Sequence, residues 1–293
     1  MGEWIMDLTA PFHTRRISGM GRAIRNCLAD DDDPGAGFVA AIRARPMSML
    51  SAETLRAIHL LSRSCQDAIV EIGAYVGGAT AVILHATQAR RNLVVTIEEP
   101  VAHPTHPQIP TQDTVSDLHA NIRSLGLARE GHHVIPGASF EAWVLGTLHH
   151  RLLGQRIGLL VWDADACIDR DLILLAPWLA PGAMVVIDDY VAGEGKSVRV
   201  STVVDDFMRR GILEPSAYLP WGTWFGRLRR PPTAAEIAAY RTEWQHLAAS
   251  GHVYYQRLTD YERRLPDIPP PLTAEERQSF WASAVAWGQG KGR

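Results

Sequence analysis

Short apolar runs alternate with amphipathic stretches along most of the chain. Ala68–Ile72, Leu93–Ile97, His133–Ile135, Ile157–Trp162 and Ala183–Ile187 have strand length, and most close on glycine, proline or acidic residues. Between them lie segments of helical spacing or composition: Ala79–Ala86, Asp117–Leu125, a stretch from about Phe140, Arg170–Leu179 and Val200–Arg209. Ahead of the first strand, Leu55, Ile58, Leu61 and Cys65 recur on one helical face, with Ser51 as N-cap and Glu53 at the positive end of the helix dipole. Ile212–Leu219 and Thr223–Leu228, joined through Pro220-Trp221-Gly222, supply two last strands. Strands alternating with helices at this pitch predict an α/β fold with a doubly wound, mostly parallel seven-stranded sheet.

The pattern divides the chain into three blocks. Residues 1–46 form an N-terminal helical lead-in, 47–230 the α/β domain, and 231–293 a C-terminal helical extension broken by Pro266 and Pro269–Pro271. A chain of 293 residues accommodates one large domain with such appendages. Asp30–Asp33 reads as a solvated acidic loop, without the alternating ligand spacing of a calcium loop. Residues 101–113 carry three prolines and cannot be a helix interior.

Charge and composition narrow the function. The net charge is −3 and no basic block with interleaved aromatics appears, which argues against nucleic acid as a partner. No apolar run is long enough to span a membrane, and Met1–Asp7 lacks the layout of a secretion signal. Cys27, Cys65 and Cys167 are widely separated and odd in number, so a reduced, cytoplasmic setting is expected. Of the 29 basic residues only Lys196 and Lys291 are lysines, which makes a lysine base scarce.

Candidate chemistry collects at the strand ends, where ligands of open α/β sheets bind. Glu71-x-Gly73-x-x-x-Gly77 sits where the first strand hands over to a helix; this is not the Gly-x-Gly-x-x-Gly spacing of a dinucleotide fingerprint. Glu98, closing the second strand, can accept hydrogen bonds from both hydroxyls of a ribose; Glu99 is the alternative, and either can be a solvated strand end. Ser139 follows the third strand, where a hydroxyl can reach an adenine edge. Asp163, Asp165, Asp188 and Asp189 close the next two strands. Crowded together they need neutralising, by a hard divalent cation such as Mg²⁺ or by arginines and helix caps.

Taken in order, Glu71–Gly78, Thr96-Ile97-Glu98, Gly137-Ala138-Ser139, Asp163 and Asp188-Asp189 resemble the class I S-adenosylmethionine-dependent O-methyltransferases. The likeness spans about residues 47–229. It is nearest to the metal-dependent catechol and caffeoyl-CoA type, while Asp188-Asp189-Tyr190 resembles bacterial sugar and macrolide O-methyltransferases. The resemblance implies that Glu71, Gly73, Tyr75 and Gly77 lie along the cofactor, with Met47 and Met49 at its methionine end. It also implies that Glu98 holds the ribose, that Ala138 and Ser139 approach the adenine, and that Asp163, Asp188 and Asp189 ligate the metal.

The catechol pattern also has a lysine base three residues after its first metal-binding aspartate, where this chain has Ala166. Asp163 itself, Asp165, Lys196 and the loop histidines His103 and His106 are the remaining candidates around the reacting oxygen. The expected reaction is methyl transfer to a hydroxyl of a small-molecule acceptor: a natural product, a sugar or a catechol-like ring. A metal-independent methyltransferase, a cofactor-binding protein with another reaction, and a partner-binding protein are the alternatives. Trp244, Tyr254, Tyr255, Trp281 and Trp287 are candidates for a substrate lid, for packing or for a homodimer face.

Overall fold

The computed structural model describes residues 19–30, 32–190, 196–219, 222–253 and 255–258, except for the side chains of 196–198. In chain order the elements are α1 (Gly19–Ala29), α2 (Ala36–Ala44), α3 (Ala52–Ser64), β1 (Ala68–Ile72), α4 (Gly78–Ala86), β2 (Val94–Glu98), α5 (Thr114–Ser124), β3 (His132–Pro136), α6 (Ala142–Leu152), β4 (Ile157–Trp162), α7 (Ile168–Leu175), β5 (Leu179–Ile187), α8 (Lys196–Arg209), β6 (Leu213–Leu219), β7 (Thr223–Leu228) and α9 (Ala234–Ala249).

The seven strands make one sheet in the order β3-β2-β1-β4-β5-β7-β6. Neighbours from β3 through β5 run parallel, and β7 lies antiparallel to both β5 and β6. The expected doubly wound, mostly parallel sheet is therefore present. Every residue of β1, β2 and β4 is buried, because helices cover both faces of the sheet. Alternation sorts their side chains. Val70, Ile72, Leu160 and Trp162 join the core under α6, α7 and α8, while Ile69, Leu159 and Val161 join the core under α3 and α4. The winding reverses between β1 and β4, so the switch-point crevice opens where those two strands end.

Boundaries moved where local chemistry outweighed apolar pattern. Arg170–Leu179 was expected to be helical, but α7 ends at Leu175 and β5 already begins at Leu179, with Gly182 at φ +74 inside it. A register shift between Ile157 and Leu159 on β4 absorbs the extra length. In the acidic loop, Asp33 is not solvated but buried, accepting from the Gly35 amide.

The described parts of both flanking blocks share the main cores. Met20 and Ile24 of α1 and Val39 and Ile42 of α2 belong to the α3–α4 core. At the other end a buried carboxylate is one of several polar ties to the extension. Fully buried Asp169 accepts from Arg199 Nη2 at 2.6 Å, Trp244 Nε1 at 2.8 Å and Tyr255 Oη at 2.6 Å. Trp244 and Tyr255 are thus core residues rather than a lid. Tyr254, Trp281 and Trp287 lie outside the described residues. Removing Asp169 would strand three donors, one of them a cation, in a low-dielectric site. Asp169→Ala is expected to lower stability to urea by about 3 kcal/mol; a loss under 1 kcal/mol would show that Asp169 is not what fixes the extension.

Candidate active site at the strand ends

The turn after β1 is shaped by how close it passes to β4. Gly73 (φ +80) sits so near the end of β4 that a Cβ there would lie 1.9 Å from the Asp163 carbonyl oxygen. Tyr75 follows in a left-handed conformation (φ 53), and Gly77 (φ +90) opens α4. Gly77 faces Leu118 rather than the cleft, with room for no side chain. The turn is held from the neighbouring strand as well. Glu98 Oε2 accepts from the amides of Ala74 at 2.7 Å and Tyr75 at 2.9 Å. Burial pushes the Glu98 carboxyl up to about 7, although those amide bonds pull it down.

A cleft opens beside this turn. It is lined by Met47–Leu50, Ala79, Glu71, Gly73, Ala74, Tyr75, Val161 and Asp163. The Met47–Leu50 wall is pinned by Arg43 Nη1, which donates to the carbonyls of Ser48 and Leu50. Met47 is buried and Met49 is 45% exposed. Tyr75 reaches outward: its hydroxyl donates to the Ile109 carbonyl, and its ring lies 5.7 Å from those of both His103 and His106. That contact ties the proline-rich 101–113 loop to the cleft, with His106 Nδ1 accepting from the Ile109 amide.

Glu71 is the unusual group in this cleft. Its Oε2 accepts from Thr80 Oγ1 at 2.6 Å and from Thr96 Oγ1 at 3.2 Å, while its buried Oε1 has no hydrogen-bond partner. Burial, with added repulsion from Glu98 and Asp163, raises its carboxyl to about 8. A buried carboxylate oxygen left unpaired is costly unless a donor or a cation meets it.

Across the turn, Asp163, Asp188 and Asp189 each offer a carboxylate oxygen, all within 4.8 Å of one another. Their backbone is fixed from three sides. The Asp163 amide donates to the Ile72 carbonyl, the Asp188 amide to that of Trp162, and the Tyr190 amide to that of Gly222. Asp189 lies between them at φ 59, a conformation that Asp tolerates better than most residues.

Two expected site residues are committed elsewhere. The Ser139 hydroxyl donates to Asp171 Oδ1 at 2.6 Å, inside a buried network in which Arg170 Nε and Trp162 Nε1 also reach Asp171. The hydroxyl expected near the adenine is thus engaged by Asp171 in this structure. Asp165 diverges from Asp163: its Oδ1 accepts from the Cys167 amide at 2.7 Å and its Oδ2 pairs with Arg170 Nη1 at 2.9 Å. Both oxygens of Asp165 are thus engaged in holding the start of α7. The Ala138 amide donates to Glu141 Oε2 and Glu99 pairs with Arg257, which leaves Glu98 as the strand-end acid beside the turn. Lys196 opens α8, but its side chain lies outside the described residues. The three cysteines are buried free thiols, and among the described residues no helix is long and apolar enough to cross a membrane.

Residues 70–190, from within β1 to just past β5, match the family model of a methyltransferase domain. This segment is a methyltransferase domain. No curated protein matches the chain by sequence. Among solved structures, an S-adenosylhomocysteine-bound Podospora anserina methyltransferase, PaMTH1, is similar over 74% of this chain and 99% of its own, with 14% identity and a TM-score of 0.50. The Streptomyces achromogenes O-methyltransferase TomG, bound to S-adenosylmethionine, is similar over 72% of this chain and 99% of its own, with 17% identity and a TM-score of 0.48. At these identities the likeness concerns the fold. Domain match and fold together support the S-adenosylmethionine-dependent methyltransferase that the ordered motifs imply.

Two measurements test this geometry. Gly73→Ala meets backbone at 1.9 Å, whereas Gly126→Ala, also at positive φ, has nothing within 4 Å. The Gly126 variant should lose only the left-handed penalty of about 1 kcal/mol, and the Gly73 variant at least twice that; equal losses in thermal unfolding would show that the turn does not press on β4. For Glu71, the folded-state pKa lies above the unfolded one, so its stabilising proton is fully present below about 4.5 and lost as pH rises through about 8. The Tm of the wild type should therefore fall relative to that of Glu71→Gln between those pH values. A constant difference would contradict the assignment.

Proposed function

We propose that the protein transfers a methyl group from S-adenosylmethionine to a hydroxyl oxygen of a small-molecule acceptor, with a divalent cation such as Mg²⁺ held by Asp163, Asp188 and Asp189. One observation supports this reading above the others: Asp163 belongs both to the cleft wall and to the carboxylate triad. A methyl donor in the cleft and an acceptor oxygen at the triad are then neighbours across one residue, which is the arrangement that proximity catalysis needs.

The residues fit the donor. S-adenosylmethionine carries a sulfonium and an ammonium, and the cleft presents the unpaired Glu71 oxygen with Glu98 and Asp163 close enough to raise its pKa. Met47 and Met49 give that end an apolar, polarisable wall. Glu98 anchors the turn through Oε2, and its remaining acceptor capacity suits ribose hydroxyls. Ala138 and Ser139, just past the end of β3, remain the residues for the adenine end.

The residues also fit a hard cation, since the cluster offers three carboxylate oxygens and neither thiolate nor imidazole. When bound, the cation supplies Lewis-acid chemistry, lowering the pKa of a coordinated hydroxyl and stabilising the oxyanion. The chain itself supplies placement. Three backbone hydrogen bonds hold residues 163, 188 and 190 to their neighbours, so the carboxylates face one point without reorganisation. Ala166 is buried and cannot move a proton, so Lys196 at the start of α8 and the loop histidines His103 and His106 beside Tyr75 are the candidate bases. The acceptor belongs to the natural-product, sugar or catechol-like hydroxyls.

Mass spectrometry of products from a panel of such acceptors tests the reading. The expected result is the gain of one methyl group, abolished by excess EDTA and restored by Mg²⁺. Asp188→Ala is expected to cut turnover at least about 100-fold while changing affinity for S-adenosylhomocysteine only a few-fold. Full activity in EDTA would support the metal-independent alternative, and no donor binding by calorimetry would remove both.

A further inference from the structure

Asp188 is oriented by a chain of hydroxyls that reaches back to the cofactor side of the cleft. Its Oδ1 accepts from Thr223 Oγ1 at 2.6 Å. Thr223 has one hydroxyl proton, so in its 2.9 Å contact with Thr54 Oγ1 the donor is Thr54. The 3.1 Å contact between Thr54 and Ser51 hydroxyls then runs from Ser51, whose own oxygen accepts the Thr54 amide at 3.0 Å. The chain has one sense, from Ser51 through Thr54 and Thr223 to the carboxylate, and successive bonds of one sense polarise each other. Thr54 and Thr223 are each 1% exposed, so water does not compete for these bonds.

Two parts of the fold bring these residues together. The antiparallel pairing of β5 with β7 sets Ile187 opposite Trp224, and one step further it brings Thr223 to Asp188. At the other end Ser51 caps α3 directly after Met47–Leu50, the wall of the cleft.

We propose that Thr223, backed by Thr54, is a positioning residue that fixes the Asp188 carboxylate for the cation and links cation binding to the Met47–Ser51 wall. This rests on the metal-assisted reading above. Replacing the Thr223 hydroxyl by a methyl keeps the volume of the side chain but leaves Asp188 Oδ1 without that donor and the Thr54 proton without its acceptor.

Titration with Mn²⁺, followed by the electron paramagnetic resonance of the free ion, tests it on the full-length protein. The wild type should bind one ion. Thr223→Val should weaken binding by about 10–100-fold, the range seen when an outer-shell partner of a metal ligand is lost. Thr223→Ser should restore affinity to within a few-fold, and Thr54→Val should weaken it by a smaller factor. S-adenosylhomocysteine should tighten Mn²⁺ binding in the wild type and lose that effect in Thr54→Val. Should Thr223→Val fail to fold by circular dichroism, Thr54→Val and Thr223→Ser carry the comparison. Equal Mn²⁺ affinities across wild type and folded variants would overturn the positioning role and leave the metal site standing. No Mn²⁺ binding by the wild type would overturn the metal reading and this inference with it.

Discussion

Crowding of negative charge at one rim of the sheet governs the rest of the structure. Glu71, Glu98, Asp163, Asp188 and Asp189 all sit at or near the carboxyl ends of β1, β2, β4 and β5, the two glutamates buried and the three aspartates half-buried. Each carboxylate must meet donors, take up a proton or share a cation. The fold answers Glu98 with two turn amides and Glu71 with two threonine hydroxyls that leave one oxygen over. For the remaining three, the arrangement converges on a single point within 4.8 Å. Negative charge gathered in these two adjoining places suits the rim to a cationic donor and a divalent ion.

That crowding is possible only because the backbone is stiff there. Gly73 lets the turn press against the end of β4, and the Asp163 and Asp188 amides are tied into the neighbouring strands. Behind the rim, the buried Arg170–Asp171 pair takes up Ser139, Trp162 and Asp165, so acidic groups just outside the site are neutralised internally. Arg170 thus binds Asp165 and Asp171 into the scaffold behind the rim, while Asp163 lines the cleft and meets Asp188 and Asp189 at its edge.

The strand-turn-helix order, the doubly wound sheet and a crowd of aspartates at the ends of β4 and β5 were legible from the chain, because apolar runs with acidic ends mark strands that stop at a common rim; the choice of Asp163, Asp188 and Asp189 among them came from the family resemblance. Other features were not. Ser139 looked available since its partner Asp171 reads as an ordinary charge on a helix, and nothing in the spacing says that this helix face is buried. Asp165 looked like a second rim carboxylate until the turn into α7 swung it toward Arg170. Thr223 gave no signal, because its role depends on an antiparallel register between β5 and β7 that local pattern does not fix. An alternation count across that last hairpin, anchored on Trp224 facing inward, would have placed Thr223 beside Asp188.

The most direct test of the central claim is a crystal structure of the protein grown with S-adenosylhomocysteine and Mn²⁺, read by anomalous difference density. The account predicts one manganese peak within coordinating reach of Asp163, Asp188 and Asp189, and cofactor density against Glu71 and Glu98 on the other side of Asp163. An anomalous map with no peak there, the three carboxylates turned apart and the cleft beside Gly73 filled by protein side chains, would contradict it.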